Sequence, residues 1–565
     1  LRWTRGAGEI KGNASSGQSF EISNGSKRQV RASEYRGAPN LAGFAAEPAL
    51  QTGTPSKVQS HEGSLSDRLK GECSVIEQFV IGAGHAARRR TAGISHRFLE
   101  RAAVSALILI AVFATSAAAQ ETLATRQSVE QWLTANNNAK PDFKPGDVLT
   151  VKDLDRVRPF IPPMYIDQLR FPELKMEIIA ARSHMPRKDF QNCTEKYQAQ
   201  VKLKSDGTLD NYLCGQPFSN ASLTPDDSQS GQKAVWNFEH RWQNYGPLDL
   251  NFMFIFDRFG GNHEGSAPNT IESPPSTWSG GIHYKSSMPT DAARFFGGGG
   301  TYLKTLSSFY QRTYYSHLPQ RAAEGGVLPI PDAKDYFWKE FEGFFAPYDV
   351  RGQVFITYRY NDPFRTDDAW AYDPQLRRVR RISVEVKSDS LVGTDQTEED
   401  FNTFSGRPVR WNFKFLGWRN LLCVMDSKHD YPHFFGTNGT APDDAWSMRR
   451  FAVVERTPKE PHHPYSSVIM FWDAEDWHPW MALMFDRQKN LFKSLTYTFR
   501  WSEDYKDWAE LNHGVQAAGL QGLVAIDYRN KRATIFPAFG GGYPDIDVNH
   551  VDKLFDISKL EEFHR

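Results

Sequence analysis

The chain reads as a mainly β (α+β) protein built on one large, strongly curved antiparallel sheet, with helices lying across one face. Three observations predict this. Short runs rich in aromatic and β-branched residues recur along it, separated by Gly, Pro, Asp or Asn, as strands and their turns are. Helical and strand signals do not alternate regularly, which argues against a parallel sheet of βαβ units. No segment repeats at solenoid length.

The elements follow in chain order. Residues 1–94 carry many Gly, Ser and Arg residues and few apolar clusters, and read as disordered or as upstream sequence from a wrong start. Residues 95–119 read as a secretory signal. Arg97 and Arg101 supply the positive end, Ala102 to Ala114 an apolar stretch too short for a membrane span, and Ala117-Ala118-Ala119 a small-residue cleavage site. Ser95-His96-Arg97-Phe98-Leu99 is one arginine short of a twin-arginine signal, so ordinary export of the unfolded chain is expected. The expected product is periplasmic, begins near Gln120 and is not membrane-spanning. Residues 120–565 form the domain, with 260–300 as a Pro, Gly and Ser-rich loop insertion.

Within the domain, Ser128 is expected to cap a helix over Val129 to Leu133. Thr150 with Asp153 opens a turn from Leu154 that Pro159 ends. Strands are expected over Val235–Arg241, Leu248–Phe256, Val354–Tyr360, Val379–Val386, Phe413–Leu416, Val468–Trp472 and Phe492–Phe499. Helices are expected over Tyr302–Tyr315 and Asp335–Phe345. Asp367 to Ile382 is a hairpin signal around Asp373-Pro374.

The 67 basic and 67 acidic residues of the whole chain balance. Those beyond residue 119 have an excess of roughly six acidic side chains, which gives no support for nucleic-acid binding. Cys193 and Cys214 flank a turn signal, Lys204-Ser205-Asp206-Gly207, and a disulfide is expected if the flanks meet in an oxidising compartment. The alternative is two buried thiols. Cys423, inside Leu421-Leu422-Cys423-Val424, reads as a buried core thiol.

Candidate site residues fall in two places. Arg377, Arg378, Arg380 and Arg381 crowd one strand, where each guanidinium needs a carboxylate, a carbonyl or a ligand. One reading pairs Arg378 and Arg380 with Asp395 to Asp400 as structure; the other makes them a site for an anionic headgroup or partner, beside Trp370 and Tyr372. Met470, Trp472, Trp480 and Met484 lie in one probable hairpin. Adaptable bulky side chains suit a cavity for flexible apolar ligands, and they equally suit a core. No catalytic set stands out. His429, His433, His462 and His463 match no zinc spacing, and Gly297 to Thr305 lacks the glycine before lysine that a phosphate loop needs. No metal and no cofactor is expected.

Several stretches together carry a resemblance. These are Gly146-Asp147-Val148-Leu149-Thr150, Trp236-Asn237, Asp367-Asp368-Ala369-Trp370-Ala371-Tyr372 with Arg377-Arg378-Val379-Arg380-Arg381-Ile382, and Gly393-Thr394-Asp395 with Asp400-Phe401. Leu416-Gly417 and His463-Pro464-Tyr465-Ser466 before Asp473 complete them. The chain resembles the bacterial domain-of-unknown-function family 1329 over most of Gln120 to Leu560, and departs from it at Trp418 to Asp426. The resemblance implies a fold similar to the lipoprotein carriers LolA and LolB, an open half-barrel closed by helices over an apolar cavity. It also implies an exporter of the resistance-nodulation-division type and an outer-membrane protein as companions. The expected function is a soluble periplasmic binding or carrier protein for lipid-like or other hydrophobic molecules. An envelope hydrolase and a structural adaptor between exporter and outer membrane are the alternatives.

Overall fold

Twenty strands and five α-helices are found in the residues that the structure, a computed structural model, describes: 124–242, 248–258, 294–296, 301–383, 389–429, 433–436, 439–504, 516–539 and 554–564. The expected leader and signal, and all of the expected insertion except 294–296, lie outside these residues.

The strands are β1 (Val148–Thr150), β2 (Lys175–Ile179), β3 (Lys202–Leu203), β4 (Leu209–Asp210), β5 (Leu248–Arg258), β6 (Arg294–Phe296) and β7 (Thr301–Tyr314). Next come β8 (Tyr336–Ala346), β9 (Val354–Tyr360), β10 (Asp368–Asp373), β11 (Arg378–Ile382), β12 (Trp411–Cys423), β13 (His433–Phe435) and β14 (Ala441–Pro442). The last are β15 (Ala445–Pro458), β16 (Ser467–Asp473), β17 (Pro479–Phe485), β18 (Leu491–Trp501), β19 (Ala518–Asp527) and β20 (Arg532–Phe539). The helices are α1 (Arg126–Ala135), α2 (Leu154–Val157), α3 (Pro163–Gln168), α4 (Lys188–Tyr197) and α5 (Ser230–Glu239).

Fifteen strands form one sheet in the order β1-β2-β15-β16-β17-β18-β19-β20-β5-β7-β8-β9-β10-β11, with β12 also paired to β15. Its pairings are antiparallel except β2 with β15. Among the described residues nothing pairs β11 with β12 or β1, so the sheet does not close into a barrel. It is nevertheless strongly curled. Trp472 on β16 donates to the Thr403 hydroxyl at 2.9 Å, while Arg359 on β9 donates to the Ser405 carbonyl at 2.6 Å. β16 and β9 stand eight places apart in the sheet, roughly 38 Å if it were flat. Thr403 and Ser405 can lie only about 7 Å apart. The sheet must wrap around residues 391–410, which fill its concave side together with α5.

Local chemistry accounts for the helices. Thr125, not Ser128, caps α1; Ser128 sits three residues in and returns the bond, a complete capping box. Thr150 and Asp153 make the same reciprocal pair ahead of α2. α5 replaces the strand expected at Val235–Arg241. Its backbone lies so close to β12 that a Cβ on Gly231 would sit 2.3 Å from the Phe413 carbonyl oxygen. This close packing buries the helix nearly all round, so its sequence shows no polar face.

The two helices expected at Tyr302–Tyr315 and Asp335–Phe345 are strands β7 and β8. Both faces of this region are covered. Ser308, Gln311, Arg312 and Thr313 are buried alongside Tyr310 and Tyr314, so polar residues stand where alternation would show apolar ones. The apolar positions that remain fall at spacings of three and four, which mimics a helix.

Cys193 and Cys214 are joined, with their Cα atoms 5.6 Å apart. The turn between them is the expected hairpin, β3 with β4, but Cys193 itself lies on α4. Cys423 is a buried free thiol, its pKa pushed up by burial.

Candidate functional site

The concave face of β7, β8 and β9 is built in cross-strand rows. Tyr314, Trp338 and Arg359 form one, Arg312, Glu340 and Thr357 the next, and Tyr310, Glu342 and Phe355 the third. The guanidinium carbons of Arg312 and Arg359 lie 4.2 and 4.4 Å from the centre of the Trp338 ring. Arg359 donates to Asp367 at 2.9 and 3.2 Å, and Arg407 lies 3.4 Å from the other oxygen of that carboxylate. Thus the concave side carries a charged seam in place of a purely apolar floor.

Among the described residues, three cavities follow this seam. The largest, about 340 Å³, is an aromatic-walled cleft between the β3–β4 hairpin, the end of α5 and the β8–β9 edge. Tyr212, Trp236, His240, His317 and Phe337 enclose it. The Tyr212 ring lies 4.2 Å from His240 and 4.9 Å from His317; Phe337 lies 5.2 Å from His240, and Trp236 stacks on His240 at 5.7 Å. Burial lowers the pKa of both histidines, and each also faces the other, so both rings are neutral near pH 7. His317 Nδ1 donates to the Leu213 carbonyl at 2.9 Å. Arg407 reaches the cleft while donating to the carbonyls of Tyr360, Asp362 and Arg365. Burial and the neighbouring Arg359 bring its pKa down to about 10, so it stays charged. Exposed Asp210 and Asn211 mark the mouth.

Several devices fix this cleft. Trp236 donates to the Gly207 carbonyl at 2.8 Å, and Asn237 makes paired bonds with the Phe218 backbone at 2.9 and 2.8 Å. The Cys193–Cys214 bridge ties the far side of the hairpin to α4. At Gly215, where φ is +82°, a Cβ would lie 2.5 Å from the Thr194 nitrogen, so only glycine fits.

The second cavity is small and internal, and Glu239, Arg241, Arg312 and Arg359 reach it. Burial raises the Glu239 pKa, opposed by these arginines, and lowers that of Arg241. The third lies over β7 and β8, under residues 391–405. There Glu340 accepts from Arg312 Nε at 2.8 Å and from the Tyr310 hydroxyl. Enclosure, with Glu340 and Glu398 nearby, pushes the Glu342 carboxyl up to about 8.

The residues singled out from sequence do not converge on these cavities. Met470, Trp472, Trp480 and Met484 lie on β16 and β17, whose residues are all buried. They belong to the main core, and none lines the three cavities. Trp370 and Tyr372 pack in a second core cluster with Phe337 and Trp338. Arg378 and Arg380 are exposed on β11 at the outer end of the sheet. Their expected network with Asp395 to Asp400 does not form. Asp395 is held by Arg532 and Thr534, Asp400 by Arg456, Thr397 and Tyr465. Arg380 instead faces Asp373 at 3.7 Å, and Arg381 pairs with Asp368. The reason is position in the sheet: Asp395 and Asp400 are held by side chains of β20 and β15, whereas β11 is the last strand at the other end. The sequence reading missed Tyr212, His240, His317, Phe337 and Arg407. Trp236-Asn237, one of the family marks, was the signal that pointed toward them.

One further constellation joins distant segments. His184 is fully buried, stacked on Trp501, with Nε2 2.6 Å from Asp426 and Nδ1 3.1 Å from Asp476. Burial opposes its charge, but the two carboxylates win and raise its pKa to about 9. Arg449 closes the group through Asp473 at 2.7 Å. Both imidazole nitrogens are occupied, so this His–Asp set has no lone pair free for general-base chemistry. It is a clamp holding 182–184 to the β16–β17 turn. Among the described residues no group of His, Cys, Asp or Glu is arranged to hold a metal ion, and no helix is long and apolar enough to cross a membrane.

A mostly β protein with an open, curled sheet and a cleft on its inner side is thus defined. The chain belongs to the DUF1329 family, described as a protein of unknown function, whose model matches residues 148–272 and 278–550. No curated protein matches it. Similar solved structures include an outer-membrane lipoprotein-sorting-type domain from Vibrio parahaemolyticus, 16% identical over 59% of this chain and 100% of that one, with a TM-score of 0.36. A DUF1329 family protein from Desulfovibrio piger is 18% identical over 59% and 99%, with a TM-score of 0.37. A LolA superfamily protein from Nitrosomonas europaea is 11% identical over 55% and 91%, with a TM-score of 0.29.

Proposed function

We propose that this is a periplasmic, non-catalytic binding or carrier protein for hydrophobic or amphiphilic molecules, and that it holds them in the aromatic-walled cleft. The observation that carries the reading is the cleft itself. Its volume of about 340 Å³ lies in the range of small-molecule sites, and its flat aromatic walls alternate with polar side chains, among them Asp210, Glu239, Asn361 and Arg407. Arg407 supplies one fixed positive charge, which suits an apolar body with an anionic or carbonyl group at one end. Burying about 200 Å² of such a ligand would contribute roughly 5 kcal/mol before ordering costs. The neutral histidines add polar edges without adding charge. An exporter of the resistance-nodulation-division type and an outer-membrane protein are the partners we propose on the family association.

Native mass spectrometry of protein purified from its own envelope fraction tests this. An apolar or amphiphilic adduct is expected on the wild type. It should be lost in Pro363→Trp, which fills the rim, and weakened in Tyr212→Ala, which removes a wall. An adduct retained in full by both variants, or none in any preparation, would overturn the reading.

A further inference from the structure

We infer that Glu239 and His240 are the recognition pair of the aromatic cleft, and that the ligand they select carries a neutral hydroxyl group on its apolar body; the inference rests on the cleft being the ligand site. Glu239 is the last residue of α5 and His240 its C-terminal cap, so the end of one helix delivers both side chains to the same space. They are 8% and 7% exposed. Among the described residues neither side chain makes a hydrogen bond, and Glu239 stands 4.0 Å from Arg359, beyond hydrogen-bond reach. Enclosed polar groups left this way are costly, by an amount that a bound partner would recover. The other polar groups of the cleft are engaged. Tyr212 donates to the Gly215 carbonyl at 2.8 Å, and Asn361 to the Lys334 and Tyr336 carbonyls at 2.7 and 3.2 Å. Tyr360 donates to Asp368 and Thr208 to Asp206. Trp236, His317 and Arg407 direct donors to backbone carbonyls. Asp210 and Asn211 are exposed at the mouth.

The His240 ring is held in place. Tyr212, Trp236, His317 and Phe337 surround it, all with ring centres within 5.7 Å, so its nitrogens keep one orientation. A neutral imidazole offers one donor and one acceptor, and a carboxylate accepts. A hydroxyl has one proton to give and two lone pairs, so it can donate to Glu239 and accept from the His240 N–H at once. An ammonium group would also donate, but Arg359, Arg241, Arg312 and Arg407 all act on Glu239, and a further cation would enter against them. A carboxylate at this point would face the Glu239 carboxyl. An ether or a bare ring would leave Glu239 without a donor. Arg407 remains the partner of an anionic or carbonyl end, and the hydroxyl is a second polar point on the same body.

Calorimetric titration of the full chain with beta-naphthol and with its methyl ether tests the inference. The two share a flat apolar body; the ether keeps the oxygen as an acceptor but has no proton to give. Burial alone favours the ether, which carries one more carbon. The naphthol should nevertheless bind about tenfold more tightly, because the ether leaves Glu239 unpaired. Glu239→Met removes the acceptor at similar length. It should weaken the naphthol about tenfold, leave the ether unchanged and so erase the preference. His240→Phe keeps the ring stacking without the nitrogens. It should weaken the naphthol about fivefold, and serves as the second arm should Glu239→Met unfold. Tyr212→Ala, which removes a wall, should weaken both compounds alike. Equal binding of both compounds to wild type, with both weakened by Tyr212→Ala, would overturn this inference and leave the cleft as the ligand site. A preference for the naphthol that survives in the folded Glu239→Met and His240→Phe variants would also overturn it. Binding of neither compound would overturn the reading of the cleft and this inference with it.

Discussion

Replacing Asp367 by alanine isolates the buried charge arrangement on which the concave side depends. The Asp367 side chain is fully buried, receives two hydrogen bonds from Arg359 and lies 3.4 Å from Arg407. Removing it leaves two guanidiniums enclosed, with Glu239 as the nearest other carboxylate, 4.0 Å from Arg359. The carbonyls of Ser405 and Gly406 still accept from Arg359, but they carry no compensating charge. Breaking a buried pair from one side costs about 3–5 kcal/mol. With an m-value near 3 kcal/mol/M for a domain this large, the urea midpoint should fall by about 1–1.7 M. The double variant Arg359→Met/Asp367→Leu removes both charges and should recover about half of that loss or more, since replacing a whole buried pair by apolar groups is far cheaper than breaking it. Urea unfolding followed by tryptophan fluorescence reads both. A single variant that loses less than about 1 kcal/mol would refute the claim that this carboxylate neutralises the arginines.

Other perturbations give separate tests. His184 is held charged with a pKa near 9, against about 6.5 when unfolded, so its contribution of about 3 kcal/mol is complete below pH 6.5 and is lost as pH rises through 9; unfolding at pH 6 and pH 10 should show this difference in wild type and not in His184→Gln. Cys193→Ala with Cys214→Ala should cost about 3 kcal/mol by chain entropy for a separation of 21 residues, measured by denaturation. Gly231→Ala should destabilise by about 1–3 kcal/mol, because its Cβ would press on the Phe413 carbonyl, and Tm should fall. The double change Arg378→Ala/Arg380→Ala, on exposed side chains, should leave stability within about 0.5 kcal/mol in the same assay.

The sequence carried the fold where alternation and turn chemistry were strong. β9 has the bounds that Val354 to Tyr360 suggests, and the β10–β11 hairpin turns at Asp373, whose carboxylate accepts from the Gln375 and Leu376 amides while Arg377 takes φ +49°. It failed where both faces of an element are covered. β7 buries Arg312, Gln311 and Thr313, and α5 is enclosed nearly all round; local pattern cannot report which face is wet when hardly any is. Charge partners failed for a related reason. Arg378 and Asp395 are near in sequence, but the curl of the sheet gives Asp395 to Arg532, 137 residues away. The aromatic cleft draws on residues 208–212, 236–240, 317, 337, 360–363 and 407–408, so no single stretch of sequence could have displayed it. The clustered Trp and Met residues of β16 and β17 were visible, yet their role is core packing around the turn that His184 clamps.

The central claim, that ligand is held in the aromatic cleft and not among the buried residues of β16 and β17, is tested most directly by titrating anilinonaphthalene sulfonate into three folded proteins. The dye is an apolar body with one anionic group, matched to the cleft and Arg407. Wild type and Met484→Ala should bind it with similar affinity, although Met484→Ala loses about 2–5 kcal/mol of stability. Pro363→Trp should bind at least tenfold more weakly. Unchanged binding in Pro363→Trp, with loss in Met484→Ala, would contradict the account and move the site into the core hairpin.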